Sequence, residues 1–260
     1  MIDLTSEVSQ QRQAAIQRRM MVSFERAIAV PVMQELRRIG VASSRAYEAS
    51  PGTFDTSLSI LMDDHSRRMT RIITAADTMV ANTFGIMVIH AGSKGSSVRE
   101  RKDAQGQLDT AIDQFIRRTV GNKVTGIVGT TKDQIRSVVA AGVGDGIGVD
   151  AMARQIRKVM GDEVPRWRSQ MIARTESHGA SQMGSLSGAA TFNFPMMKRW
   201  VSTKDARTRE DHLTANGQAV ALTESFNLDG SSLAFPGDPT GAADQVINCR
   251  CVMTYQRARG

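Results

Sequence analysis

The sequence predicts an α+β protein: a long helical N-terminal region followed by a C-terminal domain that mixes helices with a small antiparallel sheet. Three observations carry this reading. Apolar residues recur every three or four positions along the first two thirds of the chain, which is the helical period. Beyond Phe194-Pro195 that period gives way to short β-prone segments, MKRWVS, GQAVAL, FNLDG and CVMTYQ, parted by Asn-Gly, Asp-Gly and Pro-Gly turn signals. With 260 residues, 41% of them apolar, the chain can bury a real core in one large or two ordinary domains, and a disordered tail protein is excluded.

Taken in order, Ile16, Met20, Phe24, Ile28, Val32, Leu36 and Ile39 mark a first helix over about residues 10–39, with Pro31 expected to kink or break it. The segment Ser43 to Thr53 (SSRAYEASPGT) has turn chemistry and ends that element. Leu58, Leu61, Met62, Met69, Ile72, Ile73, Met79, Val80, Phe84 and Met87 mark a second long helix, which stops before the AGSKGSS loop at Ala91 to Ser97. Leu108, Ile112, Phe115 and Ile116 mark a third. Methionines at this spacing are expected to fill irregular gaps in a core. Glycines at 121, 126 and 129 interrupt the pattern and place a boundary there, between a helical arm over residues 1–120 and a second domain over 121–260. A short helix at about residues 131–141, closed by Gly142, follows. The glycine-rich GVGDGIGVD reads as a hinge between helices, because no strand precedes it as a phosphate-cradling loop would require. A helix over about residues 150–160 has Asp150 as its expected N-cap, and a longer one over about residues 163–190 has Pro165 in its first turn.

The formal charge is +7 and the pI about 9.9, with 16 basic against 13 acidic side chains in residues 1–120 and 17 against 13 in residues 121–260, so no basic arm stands out. This balance is compatible with a polyanion such as DNA but does not demand one. The polar opening MIDLTSEVSQQRQ argues against a secretory signal, and no run approaches the ~18–20 continuous apolar residues of a membrane span. A soluble protein made in a cytoplasm, without a membrane partner, is expected.

Chemistry concentrates near the C-terminus. On the helix through IARTESHGA, Arg174 and His178 share a face, with Thr175 beside them and Glu176 roughly opposite Arg174. Arg, Thr and Glu occur in ADP-ribosyltransferase sites, but there they come from separate strands, so buried anchoring of the β-unit is the preferred reading. Asp205, Arg207 and Arg209 in KDARTREDH are expected to tie loops together, since a guanidinium presents several donors in a fixed fork. His212, Cys249 and Cys251 form the one trio with metal-ligand chemistry. Thiolate and imidazole suit Zn²⁺, with Asp205, Asp211 and Asp238 as candidate fourth ligands. The tight C-x-C spacing favours plain core packing of these three, so no cofactor is expected, with Zn²⁺ as the one candidate. FPGDP, Phe235 to Pro239, is turn scaffold. Arg154, Arg157, Lys158, Arg166 and Arg168 are candidate contacts to duplex backbone; with aromatics at 5% there are no stacking platforms for single strands.

The order IARTE, a tryptophan strand, DARTREDH, PGDP and INCRC resembles the C-terminal domain of the bacteriophage Mu F-like minor head proteins, over about residues 130–256. The resemblance implies a non-enzymatic virion component, made in the host bacterial cytoplasm and retained inside the phage head. It further implies association with the portal protein during procapsid assembly, with the major capsid or scaffolding protein as further partners, and a role in DNA packaging and ejection, while non-specific contact with double-stranded DNA is expected from the net charge of +7. Some members of that family carry an added toxin or nuclease domain, for which no room is expected after INCRC. The alternatives are a metal-dependent nuclease built on the His-Cys-Cys trio, which lacks an evident general base, and an ADP-ribosyltransferase-like enzyme.

Overall fold

The computed structural model describes residues 7–93, 96–163 and 165–258. Its elements are α1 (Glu7–Ala49), a 3₁₀ turn (Pro51–Thr53), α2 (Phe54–Gly92), α3 (Val98–Gly144), α4 (Val149–Lys158), a π-turn (Val159–Glu163) and α5 (Pro165–Ala190), then β1 (Met196–Val201), α6 (Glu210–Thr214), β2 (Ala219–Ala221), β3 (Phe226–Leu228), β4 (Ser231–Leu233), α7 (Ala243–Val246) and β5 (Val252–Arg257). The protein is α+β, with long helices first and a small antiparallel sheet last.

Two compact units emerge, and neither is one run of sequence. The first comprises Met1–Glu25, Ala76–Thr119 and Arg174–Gly260; the second comprises Arg26–Ala75 and Val120–Ala173. In the second unit Ile39, Phe54, Leu58, Met62, Ile135, Met152, Ile156 and Met160 form the core, with Tyr47 set edge-on to Phe54 at 5.1 Å. A buried polar pair lies in the same unit. Glu35 accepts from Nδ1 of His65 at 2.8 Å and from Arg38 at 2.7 and 2.8 Å, and Arg38 also reaches Asp64 at 3.0 Å. Burial pushes the Glu35 carboxyl up, but the bonds from Arg38 and His65 outweigh it and hold the group below its ordinary value.

In the first unit α2 and α5 approach closely through small residues. A Cβ on Gly184 would lie 2.6 Å from the Ala81 Cα, and one on Gly188 would lie 2.5 Å from the Gly85 carbonyl oxygen. Phe24 and Phe84 pack at 6.0 Å between ring centroids. Strand β1 is central in the order β2-β1-β5, antiparallel to both neighbours, with Trp200 opposite Met253. Alternate residues of β1 (Met196, Lys198, Trp200) are buried, as a strand with one covered face requires. The hairpin β3–β4 turns on Asp229-Gly230, both at positive φ (46° and 89°), the backbone that an Asp-Gly pair tolerates.

Four expectations need correction. Helix α1 is not broken at Pro31, and it continues through Ser43–Ser44 to Ala49. Those two serines are buried, and Ser44 Oγ donates to the Ala153 carbonyl at 2.8 Å, so tertiary packing overrides their turn chemistry. Helix α3 runs through Gly121, Gly126 and Gly129 without a break. These glycines face open space, while Val120, Val124 and Ile135 around them are buried, so packing of the neighbours holds the helix. The chain does pass from one compact unit to the other between Thr119 and Val120, but inside the helix. Gly146, at φ +67°, closes α3 in place of Gly142, whose hydrogen faces Met152 where a Cβ would not fit. The N-cap of α4 is Gly148, with no side-chain bond from Asp150.

The apolar stripes are largely consumed inside the protein, and large apolar side chains left exposed, such as Ile60, Val98 and Val143, are spread along the helices. The stretch Pro51–Gly92 is long and apolar enough to cross a membrane by length and composition. Part of it is buried here, with Leu58, Met69, Ile73, Val80 and Phe84 fully enclosed.

Candidate functional site

Three motifs far apart in sequence meet within the first unit. Asn248, the centre of their contact, has φ +60°, a left-handed backbone that Asn adopts more readily than most residues. Its N–H donates to Thr175 Oγ1 at 3.2 Å, and its Oδ1 accepts from Arg174 Nη1 at 3.3 Å, while Arg174 Nε bonds Glu25 at 3.2 Å. The IARTE helix thereby holds the INCRC turn. From the other direction, Arg209 donates to the Ile247 carbonyl at 2.6 Å, and Thr203 Oγ1 donates to the Arg250 carbonyl at 2.8 Å. Arg250 grips both carboxylate oxygens of Asp205, one of them at 2.7 Å. That guanidinium holds the Asp205 carboxyl well below the usual carboxylate range. Asp205 also accepts from the Arg207 amide at 3.0 Å and the Thr208 hydroxyl at 3.2 Å, which closes the DART turn on itself.

Inside this clamp lie His212 on α6 and Cys249 and Cys251 at the approach to β5, exposed to 1%, 2% and 2%. Their ligand atoms all fall within 4.8 Å of one another, with Cys251 Sγ 3.4 Å and Cys249 Sγ 3.7 Å from His212 Nδ1. On the far side of the ring, Nε2 donates to Gln245 Oε1 at 2.9 Å, which leaves the Nδ1 lone pair facing the sulfurs. Trp200 meets the imidazole edge-on at 5.3 Å and walls it from the sheet side. A hydrogen bond from Cys249 and the charge of His212 when its ring is protonated hold the Cys251 thiol below the ordinary thiol range, and the same sharing pushes Cys249 up.

Several polar groups around this centre are held by the fold. Lys198, buried on the inner face of β1, donates to the Leu222 and Ala234 carbonyls at 3.0 and 2.7 Å and sits over the Phe226 ring, and burial pulls its ammonium down to about 8. Asp238 of the PGDP turn accepts from the Ala234 and Thr240 amides, both at 3.0 Å, and Gly237 of that turn packs on His178 where a Cβ would not fit. Burial drives His178 down to about 3, so it stays neutral. Gln182 and Gln17 bond the Met253 amide and carbonyl at 2.7 and 2.8 Å, fastening β5 to α5 and α1. A cleft of about 590 Å³ beside β1 is lined by Arg18, Arg199 and Lys204; Arg18 and Arg199 donate to the Val201, Ser202 and Gly217 carbonyls, so these guanidiniums serve the fold.

Arg174, Asp205 and Arg209 all reach the INCRC segment or its immediate neighbours, directly or through Arg250. Glu176 is buried on α5, and the largely exposed Arg207 guanidinium lies 3.9 Å from the Asp205 carboxylate, beside the bond from its own backbone amide. None of the candidate fourth ligands joins the trio: Asp205 serves Arg250, Asp211 accepts from the His212 amide at 2.8 Å, and Asp238 serves its own turn. Among the candidate DNA contacts, Arg154, Arg157, Lys158 and Arg166 are exposed. Arg168 is not. At 1% exposure it donates to Gln134, to Thr131 and to the Ile127 carbonyl at 2.6 to 2.9 Å, as a buried strut that charge alone did not reveal. Gln245, Asn248, Arg250 and Lys198 escaped the sequence reading. Arg250 carried a signal, being the middle residue of C-x-C with an acidic motif upstream.

The motifs IARTE, DARTREDH and INCRC, which carried the sequence resemblance, thus meet in one α+β unit. Residues 133–254 match the family model described as Phage Mu protein F like protein. The chain is similar to the NAD(+)--arginine ADP-ribosyltransferase EFV of Enterococcus faecalis, at 29% identity over 102 residues, 34% of this chain and 21% of the relative. It is also similar to the uncharacterized protein YqbB of Bacillus subtilis, at 30% identity over 93 residues, 34% of this chain and 30% of that protein. The chain thus spans less than a third of the length of either curated relative. No solved structure matches.

Proposed function

We propose that this protein is a minor head protein of a tailed bacteriophage, a non-enzymatic component retained inside the head that acts in head morphogenesis through the portal. The carrying observation is the Phage Mu protein F like match over residues 133–254, which contains the three motifs that clamp one another around His212, Cys249 and Cys251. Those polar residues are engaged in fastening, as a stable assembly component requires. The portal is the first partner, the major capsid or scaffolding protein the next, and the protein reaches the virion from the cytoplasm of the host bacterium. Roles in packaging and ejection follow from that position. Co-expression with the cognate portal is expected to give a complex that co-elutes on size exclusion. Two separate peaks at every ratio and salt concentration would count against it.

Contact with packaged DNA is part of the same reading. Arg154, Arg157, Lys158 and Arg166 are exposed, and the net charge is only +7. With at most four phosphates neutralised, log K is expected to fall against log salt with a slope of about −3 to −4, a loss of roughly a hundredfold between 50 and 200 mM salt. Replacing Arg154 and Arg157 by Ala flattens the slope by about two, and Arg168→Met leaves it unchanged. Equal affinity at the two salt concentrations removes DNA from the account.

A second reading, ADP-ribosyl transfer, has one observation in its favour, the similarity to the Enterococcus faecalis enzyme. That similarity covers 21% of the enzyme. Of the three residues weighed for such chemistry here, Arg174 and Thr175 are bound to Glu25 and Asn248, and Glu176 is buried on α5. The head-protein reading is therefore preferred.

A further inference from the structure

We infer that His212 Nδ1, Cys249 Sγ and Cys251 Sγ bind one Zn²⁺ ion, which fastens the INCRC segment to α6 independently of any role in the phage head. Geometry carries the inference. A tetrahedral zinc with ordinary Zn–S and Zn–N bonds places its sulfur and nitrogen ligands about 3.6 Å apart. The two S···Nδ1 separations are 3.4 and 3.7 Å. A hydrogen-bonded chain needs only Cys251 at Nδ1 with Cys249 behind it, yet Cys249 Sγ also lies within 3.7 Å of that nitrogen, as it would if a metal ion were the shared partner of all three atoms. The tautomer is also the required one. Gln245 takes the Nε2 proton at 2.9 Å and orients the ring with Nδ1 toward the sulfurs, the way an outer carbonyl group sets a zinc-bound histidine.

Ligand chemistry narrows the ion. Two thiolates with an imidazole suit a soft or borderline cation and disfavour Mg²⁺ and Ca²⁺, which take oxygen ligands. Binding displaces the two thiol protons to solvent, and His212 enters neutral. Asp205, Asp211 and Asp238 are engaged elsewhere, so the three side chains of the trio are the ligands assigned to the ion. Burial of the three ligands encloses the ion and makes the site a fastener. The clamp by Asp205–Arg250, Arg209 and Thr203 holds both cysteines in place from outside.

The full-length chain, purified reduced, without a histidine tag and without added metal, is expected to carry about one zinc per chain by elemental analysis. When the metal is exchanged for Co²⁺, the thiolate-to-cobalt charge-transfer band appears in the near ultraviolet, and a mercurial that blocks the thiols releases the metal. Cys251→Ala loses the band, whereas Arg207→Ala, at an exposed position of the clamp, keeps it. Because Cys251→Ala risks misfolding, the cobalt spectrum of the unsubstituted chain decides. Zinc below about a tenth per chain, together with no charge-transfer band when the reduced, metal-free chain is offered Co²⁺, overturns the inference.

Discussion

Gly184→Ala is expected to destabilise the first unit by about 3 kcal/mol, and Gly184→Val to leave it without a cooperative transition. The added Cβ would lie 2.6 Å from the Ala81 Cα, and backbone cannot rotate aside as a side chain can. Relief requires α2 and α5 to separate, which strips packing along the contact that runs on through Gly188 and Gly85. Against a total stability of about 5–15 kcal/mol, that change is large. The control is a glycine in a helix with open space around it. Gly126→Ala meets nothing within 4 Å, and is expected to stabilise by about 0.5–1 kcal/mol because Ala gives up less chain entropy. Chemical denaturation of the two variants beside the parent checks both signs, and a neutral Gly184→Ala would contradict the close approach of α2 and α5.

Glu35→Ala should be the most damaging single charge removal in the second unit, by about 3 kcal/mol, because it strands His65. His65 is fully buried, with Nδ1 bonded to Glu35, while Arg38 is a third exposed and finds water or Asp64 instead. The acid dependence has a definite sign. Glu35 has its carboxyl lowered in the folded state, so its contribution is present above the unfolded carboxylate value of about 4.3 and is lost as pH falls through the folded value. Glu35→Gln keeps an oxygen acceptor for His65 and removes the titration. It should therefore lose less stability than Glu35→Ala at pH 7 and flatten the decline below about pH 4. Melting curves from pH 3 to 7 distinguish the three chains; an unchanged acid slope in Glu35→Gln would mean that the group does not titrate on unfolding.

Local chemistry made the turns and the trio legible in the sequence. Asp229-Gly230 and Asn216-Gly217 announce their turns because few other pairs tolerate such backbones, and Gly217, Asp229 and Gly230 do sit at positive φ. His212, Cys249 and Cys251 stand out as the chain's one set of soft ligands, and the structure brings their ligand atoms within 4.8 Å. The fasteners around them were hidden. Asp205 meets Arg250 across 45 residues and Thr175 meets Asn248 across 73, and no period or spacing records such pairs. The failures along the helices share a cause, since Gly121 and Gly126 in α3 and Ser43 and Ser44 in α1 have local preferences that buried neighbours override. Arg168 failed differently: a positive charge reads as surface until its three acceptors are placed around it.

The central claim, that this is a component of the phage head, is tested most directly by the protein content of purified particles. Quantitative mass spectrometry of virions from the phage that encodes it should find this chain in a few copies per particle, retained after the outer surface is treated with protease. Particles assembled without it should show defective heads or altered DNA content. Particles that lack the chain, with heads of normal form and full DNA in its absence, would contradict the account.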